Sequence, residues 1–316
     1  MSHNNLMQYS DLSPITDLDN LKQTLDELGV AVLPSVFSET ECNDLIQSIR
    51  KNVADKFNTV EPNDFKKLRP IEGGIIHNYG LALTKEVLDF KTNEKTIQPF
   101  QTIWGEEDIV TSLDGIFIAP PPEQIEDGKF FSRFQSSWFH TDQASNKKNF
   151  SCVQGSINLE PIEHGDGCLA VLTNSHKFHR EFFENFNIDT HGYDWFVIND
   201  EHLAWFKSKG CEWKMIVAPK GSMVFWDSRT IHMGALPRKG RANADRWRFI
   251  IYVCYAPRRF QTEEDARLKK AAYINNQCTA HWPYSVNVFG KRGDDETIND
   301  FEKLTERHKK YLFGMK

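Results

Sequence analysis

The sequence predicts a mainly β protein with flanking helices, and three stretches carry this prediction. Residues 249–255 form a long run of β-branched and aromatic side chains, which is typical of a buried strand. Residues 223–226 form a second apolar strand, which follows a turn-forming Pro-Lys-Gly at residues 219–221. Leucines recur at helical spacing over residues 18–28, so a helix precedes these strands.

The N-terminal elements follow from local signals. Residues 1–16 are predicted to be a flexible arm. Gly29 ends the leucine-rich helix, because glycine favours the left-handed position after a helix C-terminus. Residues 30–33 then form a short apolar strand. Ser38 and Glu41 have the spacing of a capping box, which predicts the start of a second helix.

Two later strands include one with a polar face. Residues 111–120 are predicted to form a strand that ends at three prolines, and residues 149–159 another strand. On the second strand Gln154, Ser156 and Asn158 share one face, because side chains alternate along a strand. These polar groups either line an internal cavity or face solvent, and both interpretations fit the pattern.

The composition indicates a globular protein and excludes several classes. Of 316 residues, 40% are hydrophobic and 26% are charged, enough for a substantial core in one large or two small domains. The net charge of −6 argues against non-specific nucleic-acid binding. No stretch has the length of a membrane span, and the polar N-terminus lacks the apolar segment of a signal peptide. The six cysteines have no zinc-binding spacing, so we expect a reducing, intracellular and cytoplasmic setting.

The stretch around residues 138–142 carries the strongest chemical signal. His140 and Asp142 are two residues apart, and residues 135–140 have an extended pattern, so both side chains point to one face. One imidazole beside one carboxylate is two thirds of the facial triad that holds non-haem iron(II) with open coordination positions. His232, which ends the polar segment after an apolar strand, is the best candidate for the second histidine.

Arg248 is the candidate anion-binding residue. It lies sixteen residues after His232, at the mouth of the buried strand 249–255. A guanidinium there is costly to bury unless it meets an anion, and a bidentate pair with a carboxylate would satisfy it. Arg246, two residues earlier and of the same strand parity, is the alternative.

These residues, in this order, resemble a known family. A His-x-Asp motif, a distant His and then an Arg on a strand are similar to the Fe(II)/2-oxoglutarate-dependent oxygenases, and within them to the phytanoyl-CoA dioxygenase-like branch. Residues 165–177 (GDGCLAVLTNSHK) are similar to a segment of that branch, and residues 29–38 to its N-terminal beginning. The resemblance covers residues 21–257.

The resemblance implies a fold and a domain organisation. The implied core is a double-stranded β-helix, which is jelly-roll and cupin-like, over residues 17–260. An insertion is expected near residues 180–213, either as a helical lid or as a partner surface. Residues 261–316 are expected to be a helical extension packed on the same domain.

The resemblance also implies an activity and its cofactors. The implied iron(II) ligands are His140, Asp142 and His232. Arg248 would bind the far carboxylate of 2-oxoglutarate, and Gln154 and Ser156 are further candidate cofactor-binding residues. With O2 as cosubstrate and ascorbate in support, the implied enzyme hydroxylates an unactivated C–H bond of a small organic molecule and releases succinate and CO2. An Asp at the carboxylate position, where related halogenases have Gly or Ala, disfavours halogenation.

Other function classes are kept as alternatives. They are a cupin-like hydrolase or isomerase with another metal, a non-catalytic binding protein, and a hydroxylase of protein side chains. Arg248 and the segment 165–177 argue against the cupin-like enzyme, which needs neither. We expect a small-molecule substrate and no nucleic-acid or membrane partner. His77 and Tyr79 are candidates for the pocket border. His281 and Trp282 either fold back near the site or lie in a packed surface turn, and we expect the surface turn.

Overall fold

Two β-sheets, of six and seven strands, form the centre of the protein. The computed structural model describes residues 10–58, 74–124, 138–289 and 297–315. The predicted mainly β architecture with flanking helices is confirmed, and the two sheets form the double-stranded β-helix that the resemblance implied.

The strands in chain order are β1 (Ser10–Leu12), β2 (Val30–Leu33), β3 (Ile75–Ile76), β4 (Ile109–Thr111), β5 (Ile116–Ala119), β6 (His140–Thr141), β7 (Val153–Asn158), β8 (Cys168–Leu172), β9 (Phe196–Val197), β10 (Trp213–Ile216), β11 (Met223–Asp227), β12 (His232–Ala235), β13 (Arg248–Pro257), β14 (Cys278–Thr279) and β15 (Val288–Phe289). The α-helices are α1 (Leu21–Leu28), α2 (Glu39–Phe57), α3 (Lys85–Lys91), α4 (Glu94–Trp104), α5 (His179–Asn185), α6 (Asp200–Ser208), α7 (Glu263–Ile274) and α8 (Glu306–Phe313). None of the helices in these ranges has the length and apolar character needed to cross a bilayer.

The seven-stranded sheet separates a helical layer from an internal cavity. Its order is β2-β11-β7-β13-β5-β3, and β4 also pairs with β13. On β13, Phe249, Ile251 and Val253 pack into the core shared with α1, α2 and α4, whereas Ile250 and Tyr252 line the cavity. The alternation of side chains along a strand therefore directs one half of this sheet towards packing and the other half towards the cavity.

The six-stranded sheet has the order β1-β10-β8-β12-β6-β9. Its outer side carries a second apolar cluster, in which Phe139 and Trp213 pack with Phe182 of α5 and Phe206 of α6. The segment near residues 180–213, expected as an insertion, supplies β9 and α6 and leads into β10. It is therefore built into this sheet and its covering layer.

The N-terminal segment differs from the predicted arm. Ser10–Leu12 pairs in parallel with β10, so these residues belong to the sheet, and residues 1–9 lie outside the described part. Gly29 ends α1 with φ +80°, as predicted. The capping box of α2 is also present, because Ser38 Oγ accepts from Glu41 N at 3.2 Å and Glu41 Oε2 accepts from Ser38 N at 2.8 Å.

The predicted strand 111–120 is interrupted at residues 112–115, because Thr111 ends β4 and residues 116–119 form β5. Asp114 interrupts it, because its Oδ1 accepts a hydrogen bond from Gly115 N at 2.6 Å. An Asp side chain that bonds the adjacent backbone competes with ladder formation. The interruption turns the Asp114 side chain to the cavity wall.

The turn before β11 requires glycine. Gly221 has φ +73°, and a Cβ there would lie 1.9 Å from the carbonyl oxygen of Phe37. The same approach allows Phe37 N to donate to Gly221 O at 2.9 Å. The predicted turn thus positions β11, which leads to the segment that ends on His232.

Candidate metal centre

His140 and His232 lie directly opposite each other on neighbouring antiparallel strands. They are the register partners of β6 and β12. Asp142 follows β6, and its N–H donates to Ser228 O at 3.0 Å. Thr141 Oγ1 donates to the same carbonyl at 3.1 Å, which ties the chain after β6 to the loop before His232. Strand pairing and this tether therefore bring together three residues that are up to 92 positions apart in sequence.

The three side chains form a compact, buried group. Asp142 Oδ1 lies 3.5 Å from His140 Nε2, and Oδ2 lies 3.2 Å from His232 Nε2. One donor atom from each residue lies within 4.8 Å of the others, and within the described ranges no other His, Cys, Asp or Glu group has this geometry. All three residues are less than 9% exposed. Two imidazoles and one carboxylate are the donor set of a non-haem iron(II) site.

The far nitrogens of both imidazoles are held by backbone carbonyls. His140 Nδ1 lies 3.0 Å from Trp138 O, and His232 Nδ1 lies 2.8 Å from Thr230 O. A carbonyl only accepts, so each Nδ1 donates and each Nε2 carries the free lone pair when the ring is neutral. This tautomer directs both Nε2 atoms towards a shared metal position.

The charges of the group are coupled. Burial raises the pKa of the Asp142 carboxyl, but the charge of His140 and hydrogen bonds from both histidines outweigh it, so this pKa lies well below its usual value. Burial lowers the pKa of His140, but the charge of Asp142 and its hydrogen bond raise this pKa by more, so the net shift is upward. Burial and the charge of His140 lower the pKa of His232. A divalent cation would replace the proton that balances Asp142, so the residues present fit a metal ion.

The triad opens into a cavity of about 240 Å³ between the sheets. Gln154 and Ser156 line it, so the cavity interpretation of the polar face of β7 is confirmed. Gln154 Nε2 donates to Asp142 Oδ2 at 2.9 Å. Asn158, on the same face, is 1% exposed and is not among the cavity-lining residues of the described part.

Arg248 reaches the same cavity, whereas Arg246 does not line it. In the described part of the chain Arg248 Nε has no hydrogen-bond partner, and the guanidinium lies 4.6 Å from the centre of the Phe117 ring. Burial lowers the pKa of Arg248. The guanidinium of Arg246 instead pairs with Glu163 at 2.9 Å and Asp166 at 2.8 Å. Of the two candidate arginines, only Arg248 therefore has an unpaired guanidinium nitrogen and lines the cavity.

The other residues considered from the sequence differ in whether they line the cavity. His77 lines the cavity, whereas Tyr79 packs edge-on against Phe57 at a ring distance of 5.0 Å and is not a lining residue. His281 lines the cavity, so the prediction of a packed surface turn was wrong at this residue. His176 contacts Asp26 O at 2.9 Å, away from the triad, in keeping with a structural role.

Sequence reasoning did not select several lining residues, among them Asp114, Trp138, Trp195 and Phe289. Asp114 left a signal, because it is a charged residue in an otherwise apolar strand-like run. Trp195 and Phe289 left none, since they lie in different segments and reach the same cavity only through the fold. Trp138 stacks on the His140 ring at 4.8 Å and 17°.

Comparison with known proteins places the chain among oxygenase sequences. The family model described as phytanoyl-CoA dioxygenase matches residues 25–238. The chain is 30% identical over 213 residues to Ava biosynthesis cluster protein O of Aspergillus versicolor, an alignment that covers 65% of each protein. It therefore spans just under two thirds of the length of that curated relative.

Solved structures share the fold at low identity. A hypothetical protein of Escherichia coli, JW0805, has a TM-score of 0.64 at 14% identity, covering 97% of this chain and 86% of its own. A putative oxidoreductase from Salmonella typhimurium LT2 has a TM-score of 0.63 at 12% identity, covering 94% of this chain and 85% of its own. The non-heme alpha ketoglutarate dependent carbocyclase SnoK from nogalamycin biosynthesis has a TM-score of 0.53 at 17% identity, covering 77% of this chain and 86% of its own.

Proposed function

Since the chain belongs to the phytanoyl-CoA dioxygenase family, we propose that it is an Fe(II)- and 2-oxoglutarate-dependent oxygenase that hydroxylates a small organic substrate. The relative named for a biosynthesis cluster supports a small-molecule substrate. Succinate and CO2 would be released with the hydroxylated product, and ascorbate would support turnover.

One observation carries this proposal. A compact His-Asp-His group and an arginine with an unpaired edge line the same buried cavity. The two features together match a metal ion and a dicarboxylate cosubstrate. The metal would bind the 2-oxo acid end of the cosubstrate, and the arginine would bind its far carboxylate. A cupin-like enzyme with another metal would need only the metal-binding group.

The metal ligands in this proposal are Nε2 of His140, a carboxylate oxygen of Asp142 and Nε2 of His232. Bound iron(II), with 2-oxoglutarate and O2, would supply the oxidising chemistry that inserts oxygen into a C–H bond. Three protein ligands leave positions for the cosubstrate and for O2.

The remaining residues bind and orient. Arg248 would pair with the far carboxylate of 2-oxoglutarate, since a guanidinium offers two parallel donors to a carboxylate. Ser156 lies on the same wall and offers a hydroxyl to the cosubstrate. Gln154 orients Asp142 through the bond at Oδ2. Trp138 covers one side of His140 and excludes water from that ligand.

The test is succinate formation by the purified protein with iron(II), 2-oxoglutarate, ascorbate and air. We expect slow formation without a prime substrate, and its loss in His232→Ala. His191→Ala is the matched control, because His191 is an exposed histidine outside the cavity. Binding of 2-oxoglutarate to the zinc-loaded protein is the second readout.

Two outcomes contradict the proposal. Succinate formation that is unchanged in His232→Ala would remove the triad from the chemistry. Absence of both succinate formation and 2-oxoglutarate binding would favour a binding protein or an enzyme that uses a different metal.

A further inference from the structure

The cavity has a second polar group besides the metal centre and Arg248. His77 Nε2 lies 3.3 Å from Asp114 Oδ1, and both residues line the cavity. His281 lines it as well, and its charge acts on both Asp114 and Asp142. His281, the His77–Asp114 pair and the candidate metal centre therefore share one cavity.

Two polar atoms of this group are available to a ligand. Asp114 Oδ1 accepts from Gly115 N at 2.6 Å as well as from His77, whereas Oδ2 has no partner within the described ranges. The buried Nε2 of His281 also has no hydrogen-bond partner there. A buried polar atom without a partner is costly, so His281 Nε2 indicates a ligand group that pairs with it, and Asp114 Oδ2 is a free acceptor on the same cavity.

The Asp114 carboxyl is an acceptor. Burial raises its pKa, but the hydrogen bond and charge of His77 and the charges of Lys91 and His281 outweigh burial, and the pKa lies below its usual value. Lys91 Nζ also donates to the backbone carbonyl of Asp114. Because Asp114 Oδ1 already accepts from Gly115 N and contacts His77, a neutral O–H or N–H donor can satisfy the remaining Oδ2 without adding a further buried charge.

Aromatic side chains line the mouth of the cavity, and the part that they share with His77 and Asp114 is called the outer cavity. Trp195, just before β9, is 55% exposed, and Phe289 of β15 is 45% exposed, although both line the cavity. The Phe289 ring lies 5.3 Å from the His77 ring, and the Trp195 ring lies 6.1 Å from the His140 ring. Large, half-exposed aromatic faces at a cavity mouth favour a flat apolar ligand.

We propose that the outer cavity binds a flat, aromatic or conjugated substrate whose hydroxyl or N–H donates to Asp114 Oδ2, with its planar body against Trp195 and Phe289. This substrate class rests on the proposed oxygenase function only in calling the ligand a substrate, because the subsite itself needs no metal. His281, whose buried Nε2 has no partner within the described ranges, would contact the polar end of the same molecule.

The test uses three probes on the full chain without metal, measured by titration calorimetry. The probes are 2-naphthol, 2-methoxynaphthalene and decahydro-2-naphthol, which vary the donor and the planarity separately. We expect 2-naphthol to bind about 10-fold tighter than 2-methoxynaphthalene, because a hydrogen bond to a charged acceptor is lost in the ether. Decahydro-2-naphthol should bind about 5-fold weaker than 2-naphthol, because it cannot stack.

Variants locate the effect. Asp114→Asn keeps the Oδ1 acceptor but replaces the free acceptor by a donor, so the preference for 2-naphthol over its ether should disappear. Trp195→Ala and Phe289→Ala should each weaken 2-naphthol binding about 5-fold. Their matched controls are Tyr193→Ala and Val288→Ala, which remove neighbouring exposed side chains outside the cavity and should change nothing.

The outcomes separate this inference from the proposed function. Equal binding of all three probes by the wild-type protein, or none, would overturn it, even if succinate formation depends on His232. The expected probe pattern without succinate formation would support the subsite and count against the oxygenase. Because the wild-type comparison decides the donor question, a failure of Asp114→Asn to fold leaves the test intact.

Discussion

Gln154 Nε2 donates to Asp142 Oδ2 over 2.9 Å, and this buried bond joins the two sheets at the candidate metal centre. Asp142 follows β6 of the six-stranded sheet, whereas Gln154 lies on β7 of the seven-stranded sheet. A side chain of the other sheet thereby also holds the carboxylate oxygen that lies 3.2 Å from His232 Nε2. The orientation of the carboxylate depends on both halves of the barrel.

Removing this bond should weaken metal binding. We expect Gln154→Leu to lower iron(II) or zinc affinity about 10- to 100-fold, since groups that orient a ligand commonly have effects of this size. The measurement is metal titration by calorimetry. Gln23→Leu is the control, because Gln23 also donates to a carboxylate, that of Glu27 at 2.9 Å, but on the exposed face of α1. Equal affinities for wild type and Gln154→Leu would show that Asp142 needs no such support.

Substitution of Arg248 and substitution of Arg246 should have different effects on 2-oxoglutarate affinity. We expect Arg248→Gln to weaken 2-oxoglutarate binding about 30-fold or more, because a buried charged pair loses one partner, and to leave zinc affinity within about 2-fold. Arg246→Gln should leave 2-oxoglutarate affinity near the wild-type value, because its guanidinium already pairs with Glu163 and Asp166. Calorimetry on the zinc-loaded protein measures both. The reverse order would make Arg246 the anchor.

The fold should lose stability in acid through His179. Burial lowers the pKa of His179 to about 4, although Nε2 contacts Gln143 O at 3.0 Å. The unfolded chain takes up this proton near pH 6.5 and the folded chain only near pH 4, so stability is full above pH 6.5 and falls between these values. At pH 5 this loss amounts to about 2 kcal/mol.

Urea unfolding at pH 7.5 and pH 5 tests this pH dependence. His179→Gln should lose less stability between the two pH values than the wild type. His191→Gln, at an exposed histidine, should follow the wild type. A pH dependence of unfolding that is the same in wild type and His179→Gln would exclude His179 as the source.

The native protein should show almost no fast thiol reaction. All six cysteines are free and buried. Burial raises the pKa of Cys42 and Cys211 to about 11, and that of Cys168 and Cys278 to about 12. The thiolate is the reactive form, so Ellman's reagent at pH 7 should label less than one thiol quickly, and six after denaturation in guanidinium. A fast-reacting thiol in the native protein would contradict this burial.

The parts predicted from sequence are those encoded locally. The spacing of His140 and Asp142 fixes their shared face, Gly29 and the Ser38 capping box fix helix ends, and the family match confirms the resemblance found in the ordered motifs. The strand at residues 111–120 was predicted as continuous because nothing in its apolar pattern reveals that the Asp114 side chain bonds Gly115 N.

The outer cavity could not be predicted in the same way. Trp195 and Phe289 lie 94 positions apart, and each follows a short irregular segment without periodicity. Their position on one cavity depends on how loops pack on the finished sheets, which local sequence does not encode. His281 was considered near the site, but a histidine beside a tryptophan in a turn-like stretch equally fits a surface position.

The hairpin of β14 and β15 and its connecting loop supply part of the cavity wall. The family match spans residues 25–238 and includes the His-Asp-His group, whereas His281 and Phe289 lie beyond it on this hairpin and its connecting loop. Of the residues proposed for the subsite, these two lie outside the matched segment, whereas Asp114 and Trp195 lie within it. Exchanging the hairpin between relatives should therefore alter one part of the ligand-binding wall and leave the His-Asp-His group and Arg248 in place.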